Sequence, residues 1–132
     1  LEVYERLEKL RQLKHVEKAY FAYLYQRHGN RKKALKMYEE ILQENPEEVL
    51  THYNLGLLYQ SEDELPKAIE HFGLARKGDP RDSAIAWSLV GALVKGKRCL
   101  EARREFKSLE REGFPHRSDV VRYYDQICAA PA

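Results

Sequence analysis

The chain has 132 residues, of which 43% are hydrophobic and 33% charged, and its formal net charge is +2. This composition is typical of a globular domain, and no apolar run reaches the ~18 residues that a membrane-spanning helix needs. The nearly balanced charge also argues against nucleic acid as the main partner.

Three alanines, Ala34, Ala68 and Ala102, lie 34 residues apart, and each stands at the same place in a recurring pattern of apolar residues. A fixed period of this length is typical of helical repeats. Because a single repeat cannot bury its apolar face alone, the repeats must stack on one another. The period therefore predicts a solenoid with a concave side that is open to ligands.

When the chain is aligned on these alanines, the other pattern positions agree across three units. The first unit has Phe21, Ala22, Tyr25, Ala34, Tyr38, Ile41 and Pro46. The second has, 34 residues later at each position, Leu55, Gly56, Tyr59, Ala68, Phe72, Ala75 and Pro80. In the third unit, the residues of the first helix and the closing proline come one residue later than the 34-residue period gives. This unit has Trp87, Val90, Gly91, Val94, Ala102, Phe106, Leu109 and Pro115.

The second unit resembles the tetratricopeptide repeat, which carries a large-x2-Leu-Gly-x2-Tyr stretch, then Ala, an aromatic residue and a closing Pro. The resemblance covers residues 15 to about 115; Lys18 and His52 stand where the family often has Trp, whereas Trp87 is typical. It implies an all-α fold, an α-solenoid of three helix-turn-helix repeats wound as a right-handed superhelix. A flanking amino-terminal helix and a carboxy-terminal capping helix would complete it.

Helical periodicity predicts seven helices, at 2–28, 31–44, 47–60, 65–77, 81–95, 98–112 and 118–128. We expect a single domain over 1–132, with a leading helix at 1–14, repeats at 15–48, 49–82 and 83–117, and a capping helix at 118–130. The leading segment, with Val3, Leu7, Leu10, Leu13 and Val16 at helical spacing, is either one long helix or a helix broken without proline. It is compatible with a truncated preceding repeat.

Several boundary residues carry specific expectations. Asn45 and Asp79, each followed by proline, are predicted to be amino-terminal helix caps. Gly78 and Gly113 are predicted to end helices in the left-handed conformation. A small residue of each first helix is predicted to contact the alanine of the second helix, in the pairs Ala22–Ala34, Gly56–Ala68 and Gly91–Ala102.

Cys99 and Cys128 show no paired spacing, which suits a reducing compartment, and we expect a cytoplasmic location. The chain starts with Leu1 and its single methionine is Met37. We therefore expect it to be a segment of a longer protein, so any targeting signal could lie outside it.

The sequence carries no signature of catalysis or of metal binding. Its five histidines form no i, i+4 pair and join no cysteine cluster: His15, His28, His52, His71 and His116. It has no nucleophile motif and no glycine-rich phosphate loop. We predict no enzyme activity, no metal and no cofactor.

The resemblance further implies that the first helices line a concave groove in which a partner binds. The partner-binding residues would be Tyr20, Tyr23, Arg27, Leu50, Tyr53, Asn54, Leu57, Ile85 and Lys95.

Family members that bind the carboxyl termini of chaperones use a clamp of lysine, arginine and asparagine. Here only Asn54 falls on a clamp position, and the others hold Ala19, Tyr23, Ile85 and Leu89. The groove is therefore apolar and aromatic, which favours an apolar or amphipathic peptide or helix of another protein.

Three alternatives stay open. The apolar surface could be covered by the chain itself, by further repeats or by a second copy in a homo-oligomer. The chain could be an accessory or self-association segment of a larger enzyme or of a membrane-anchored protein, without inserting into the membrane itself. Residues 95–122 carry nine basic and five acidic side chains, so the third repeat could bind an acidic partner or nucleic acid weakly, although a solvated helix face explains this charge as well.

Overall fold

The computed structural model describes residues 2–128, and at positions 4, 8 and 11–13 it describes the backbone alone. Residues 2–128 form seven α-helices and no strand. The helices are α1 (Glu2–Arg27), α2 (Arg31–Glu44), α3 (Val49–Ser61), α4 (Leu65–Gly78), α5 (Ser83–Lys95), α6 (Cys99–Arg111) and α7 (Ser118–Ile127). The predicted boundaries lie within two residues of these. The last two positions of the predicted capping segment, 129 and 130, lie outside the described residues.

The helices pack as three successive hairpins followed by a final helix. The hairpins are formed by α1 with α2, by α3 with α4 and by α5 with α6. Each hairpin contacts the next through α2 and α3 or through α4 and α5, and α7 packs against α5. This arrangement confirms the predicted all-α solenoid of helix-turn-helix repeats. Within the described part of the chain, no helix is both long and apolar enough to span a membrane.

The leading helix predicted at 1–14 and the first helix of repeat 1 are one uninterrupted helix in the structure, α1. No glycine or proline occurs before Gly29, so nothing in the sequence ends the helix earlier. At Gly29 the backbone has φ 85°, a left-handed conformation that glycine adopts without strain. Asn30 then begins α2 by accepting a hydrogen bond from Lys33 N at 3.3 Å.

The predicted capping roles of Asn45 and Asp79 are wrong. Both residues lie at the carboxyl ends of helices, where their backbone N–H groups still donate to the preceding turn. Glu48 N donates to Asn45 O and Asp82 N donates to Asp79 O, so each proline lies in a turn between two helices and the next helix begins only after this turn. Glu48 and Asp82 are the amino-terminal caps of α3 and α5; Glu48 accepts from Thr51 N at 2.6 Å, and Asp82 accepts from Ile85 N at 3.1 Å.

Gly113 has the expected left-handed backbone, with φ 81°, but Gly78 does not: it is the last residue of α4. A Cβ atom at Gly78 would lie 2.5 Å from Val49 Cγ2. Gly78 therefore allows α4 to approach the start of α3 closely.

The close approach predicted for Gly56 occurs, but its main partner is Phe72. A Cβ atom at Gly56 would lie 2.5 Å from two atoms of the Phe72 ring, which is itself fully buried in α4. At Gly91 the prediction is wrong, because a Cβ atom there would meet nothing within 4 Å. The three repeats therefore do not use the small residue of the first helix in the same way.

Two apolar clusters form the core. The smaller lies in the first hairpin and α3 and contains Ala22, Ala34, Tyr38, Leu55 and Leu58. The larger spans repeats 2 and 3 and includes Phe72, Trp87, Val90, Ala102 and Leu109. Side chains of α7 pack against this larger cluster, namely Val120, Val121, Tyr123 and Tyr124.

Cys99 and Cys128 form a disulfide, with their Cα atoms 5.3 Å apart. The expectation that these cysteines are unpaired is therefore wrong. It failed because a separation of 29 residues does not show that α7 returns across the hairpin to the start of α6. The bond links the end of α7 to α6. Because disulfides are typical of oxidising compartments, this bond weighs against the cytoplasmic location predicted above.

Candidate functional site

A recess of about 350 Å³ lies at the amino ends of α3 and α5 and holds three of the residues predicted to bind a partner, Leu50, Tyr53 and Ile85. The other residues that line it are Glu48, Val49, Asp79, Asp82 and Ala84. Glu48 and Asp82, the amino-terminal caps of these two helices, occupy equivalent places in successive repeats. We call this feature the α3–α5 recess.

Tyr53 is the aromatic residue of the recess. Its ring is half-buried and packs on Phe72 of the same repeat, with the ring centroids 5.8 Å apart. Its hydroxyl oxygen lies 3.4 Å from Ser88 Oγ of α5, at the outer limit of a hydrogen bond. The apolar body of the side chain therefore belongs to the wall between the two repeats, and its polar end lies at the junction of α3 and α5.

The apolar neighbours of Tyr53 differ in how much surface they leave for a partner. Leu50 and Leu57 are half-buried, and Leu57 packs against the larger core cluster. Ile85 is only 4% exposed, so most of its side chain is already covered within the fold.

Asn54, the one residue on a predicted clamp position that matches the chaperone-binding pattern, is also buried, at 4% exposure. Its side-chain amide Nδ2 donates to the backbone oxygen of Ala19 at 3.5 Å. Asn54 thus joins α3 to α1 inside the protein. A role of Asn54 in partner binding stays a prediction, and the side chain offers a partner little exposed surface.

Three predicted residues lie on α1, outside the residues that line the α3–α5 recess. Tyr20 is 56% exposed. Tyr23 is half-buried, and its hydroxyl oxygen accepts a hydrogen bond from Arg27 Nη1 at 3.2 Å. The guanidinium carbon of Arg27 also lies 5.9 Å from the centre of the Tyr23 ring. Lys95 is exposed at the other end of α5.

Sequence reasoning missed the carboxylates in the lining of the recess. Glu48, Asp79 and Asp82 line the recess together with its apolar residues. Glu48 and Asp82 also cap the helices, so their negative charges are fixed in place by backbone N–H groups. The sequence carries a signal for these caps, namely an acidic residue just before the first helix of repeats 2 and 3, three positions after the residue predicted to be the cap.

The basic side chains of the third repeat are partly used within the fold. Arg98 donates to Glu101 at 2.7 and 2.8 Å in a bidentate pair. A shallow cavity of about 540 Å³ on α6 is lined by Arg104, Lys107, Glu110 and Arg111. Binding of an acidic partner or of nucleic acid at this surface stays a prediction.

No group of three or more His, Cys, Asp or Glu side chains within residues 2–128 is arranged to hold a metal ion. The sites that the described residues form are surfaces and recesses between helices.

The fold and the recess define a helical-repeat protein of the solenoid class. A family model described as tetratricopeptide repeat matches residues 25–93, more than half of the chain, so the chain belongs to the tetratricopeptide repeat family. No curated protein and no solved structure matches it. Repeats of this family generally mediate protein–protein interaction and generally form non-catalytic scaffolds.

Proposed function

We propose that the protein binds an amphipathic segment of another protein at the α3–α5 recess, and that an apolar side chain of this segment enters the recess. The observation that carries the proposal is the recess itself, which lies between two repeats and has Leu50, Tyr53 and Ile85 in its wall. Tyrosine is an effective anchor because it buries a large apolar area and keeps a hydroxyl group for hydrogen bonding.

The charge around the recess favours a particular kind of segment. Glu48, Asp79 and Asp82 place negative charge in the lining of the recess, and Asp79 is exposed. A lysine or arginine beside the apolar anchor of the partner would lie near these carboxylates, whereas an acidic neighbour would be repelled. The proposed ligand is therefore an amphipathic helix or extended segment with an apolar anchor and basic flanking residues.

The same charges argue against a partner that ends in a carboxylate. Three of the predicted clamp positions hold Ala19, Ile85 and Leu89, and all three side chains are buried. None of them offers a cation to a carboxylate, and the acidic lining of the recess opposes one. This supports an internal segment of the partner over a carboxyl terminus.

A peptide series with one design variable tests this proposal. The probes are amphipathic helical peptides that share a leucine or phenylalanine anchor and differ only in flanking residues, which are lysine, glutamine or glutamate. We expect the lysine series to bind about tenfold more tightly than the glutamate series at low salt, with the difference reduced at high salt. Fluorescence anisotropy with labelled peptides measures both effects.

Variants of the recess locate the binding. Leu50→Ser and Tyr53→Ser are expected to weaken peptide binding, whereas Leu74→Ser and Leu100→Ser on α4 and α6, where leucine is 41% and 64% exposed, should not. Tyr53→Phe keeps the ring and removes the hydroxyl group, so it separates packing from hydrogen bonding. The proposal fails if no peptide binds, or if the control variants lose binding as much as the recess variants.

A further inference from the structure

A line of side chains along α1 has the spacing of a coiled-coil seam and lies at the surface. Alternate steps of four and three residues give Val3, Leu7, Leu10, Lys14, Glu17 and Phe21. The four apolar members are exposed to 67%, 56%, 55% and 47% in chain order, and Lys14 and Glu17 are exposed as well. We call these six residues the α1 seam, and none of them lines the α3–α5 recess.

The position of Phe21, the last residue of the seam, is covered in the later repeats. The counterparts of Phe21 are Leu55 in repeat 2 and Val90 in repeat 3, which are 5% and 0% exposed. Leu55 packs with residues of the first hairpin, and Val90 packs with residues of α4, so the preceding hairpin covers each of them. Phe21 has the same place in its repeat, but no other described helix covers it to that extent, and it is 47% exposed.

The two charged residues of the seam determine which charges a partner helix needs at the positions opposite them. Lys14 and Glu17 lie together in its middle, with Leu10 on one side and Phe21 on the other. If two copies of α1 pack antiparallel, Lys14 of each copy can face Glu17 of the other, and Leu10 of each then faces Phe21 of the other. A parallel pair in register would place lysine against lysine and glutamate against glutamate. Of these two arrangements, only the antiparallel one brings opposite charges together. It has a two-fold axis, so each contact occurs twice.

A space beside the seam fits the same arrangement. A cavity of about 750 Å³ is lined by Leu7, Leu10, Lys14 and Glu44, between the first half of α1 and the end of α2. In the antiparallel register, Phe21 of the second copy would lie opposite Leu10 and reach this cavity. The ion pairs that join α1 to α2, such as Lys18 Nζ to Glu40 Oε2 at 2.6 Å, involve α1 positions that are not part of the seam.

We propose that the α1 seam binds the α1 seam of a second copy, antiparallel, with reciprocal Lys14–Glu17 ion pairs between flanking contacts of Leu10 with Phe21. The occupant of this surface is thus the protein itself, and the dimer leaves the α3–α5 recess available to another partner.

Charge reversal tests the register as well as the dimer. Light scattering after size exclusion should give the wild type twice the chain mass of 15.5 kDa at high concentration. Lys14→Glu and Glu17→Lys should each be monomeric under the same conditions, because each places like charges opposite one another. A mixture of the two single variants should restore the dimer, and so should the double variant, because both combinations again pair opposite charges.

Two matched controls exclude a general effect of substitution. Lys77→Glu changes an exposed lysine on α4 and should leave the dimer intact. Leu10→Ser should abolish it, whereas Leu100→Ser on α6, at a comparably exposed leucine, should not. Circular dichroism and thermal melting of the monomeric variants should show the wild-type fold.

Three results would overturn the proposal. The first is a wild type that remains monomeric up to about 1 mM, the range in which even weak association is populated. The second is a dimer that both single charge variants preserve. The third is a mixture of the two variants that stays monomeric, which would show that Lys14 and Glu17 do not face each other across the interface.

Discussion

The Nδ1 atoms of His52 and His71 lie 3.0 Å apart across the α3–α4 hairpin, and their rings are stacked with centroids 5.3 Å apart. The Nε2 atom of His52 lies 2.8 Å from the backbone oxygen of Pro46, which can only accept, so His52 Nε2 carries the hydrogen. A neutral His52 then accepts at Nδ1, and His71 must donate from its Nδ1. The Tyr59 ring also stacks on His71, with the ring centroids 5.6 Å apart.

This pair predicts that the protein loses stability in mild acid. Burial lowers the pKa of His71 below its ordinary value of 6.5, and the nearby His52 lowers it further. The unfolded state therefore binds a proton at a higher pH than the folded state does. The contribution of His71 to stability is complete above pH 6.5 and is lost as the pH falls from that value through the lowered pKa.

Urea unfolding at about pH 7.5 and about pH 5.5 measures this dependence, since the interval spans the titration of histidine. His71→Asn keeps a donor near His52 Nδ1 and removes the titrating ring, so its unfolding free energy should change less between the two pH values. His28→Gln, which replaces an exposed histidine, is the control and should behave as the wild type does. Equal pH dependence in His71→Asn and the wild type would contradict the prediction.

Two glycines at equivalent positions of successive repeats should respond to alanine in opposite directions. A Cβ atom at Gly56 would lie 2.5 Å from the buried ring of Phe72, so Gly56→Ala should destabilise the protein by about 1–3 kcal/mol through overpacking. A Cβ atom at Gly91 meets nothing within 4 Å, so Gly91→Ala should stabilise the protein by up to about 1 kcal/mol through helix propensity. Thermal and urea unfolding of the two variants checks both signs, and a loss of stability in both would show that the two sites are equally crowded.

The features that the sequence predicted correctly depend on local spacing. The positions of the helices follow from apolar residues spaced three and four apart and from the 34-residue period, whose pattern occurs three times in the chain. The end of α1 at Arg27 is equally local, because Gly29 is the first residue at which a left-handed turn is easy. These signals do not depend on how the hairpins lie relative to one another.

The features that the sequence missed depend on packing between elements. Asn45 and Glu48 are both reasonable caps, and the path of the turn after Pro46 decides between them. Asn54 and Ile85 are on the predicted groove helices, but contacts between successive repeats bury them. The disulfide requires α7 to return to the start of α6, which no residue spacing along the chain shows.

Reduction of the disulfide should weaken the attachment of α7. The helix has no fully buried residue, and its half-buried side chains contact the core that α5 and α6 also form. Because the bond closes a loop with a sequence separation of 29, its loss should lower the free energy of unfolding by about 3–4 kcal/mol. Urea unfolding with and without reductant measures this change, and hydrogen exchange should show that protection is lost first in α7.

Cys128→Ser is the control for the effect of reductant. This variant should unfold as the reduced wild type does, and its stability should be the same in both buffers. If thiol titration shows complete reduction of the wild type while its stability is unchanged, then packing alone holds α7 in place.

Arg76 makes three polar contacts, two of which join the second repeat to the third, and its side chain is only 12% exposed. It donates from Nε to Glu105 at 2.6 Å, from Nη1 to the backbone oxygen of Pro80 at 2.6 Å and from Nη2 to Glu112 at 3.1 Å. The guanidinium carbon also lies 5.6 Å from the centre of the Phe114 ring. A lysine ammonium group is a single point and cannot reach these acceptors together. Arg76→Lys should therefore destabilise the protein by about 1–3 kcal/mol, nearly as much as Arg76→Ala.

The matched control is Arg98→Lys, because Arg98 is 43% exposed and pairs with Glu101 of the same helical turn. Water replaces the lost hydrogen bonds at such an exposed site, so its unfolding midpoint should stay close to that of the wild type. Urea unfolding of the four proteins compares these changes directly. If Arg76→Lys is as stable as the wild type, the planar guanidinium group is not what holds repeats 2 and 3 together, and the cation alone is sufficient.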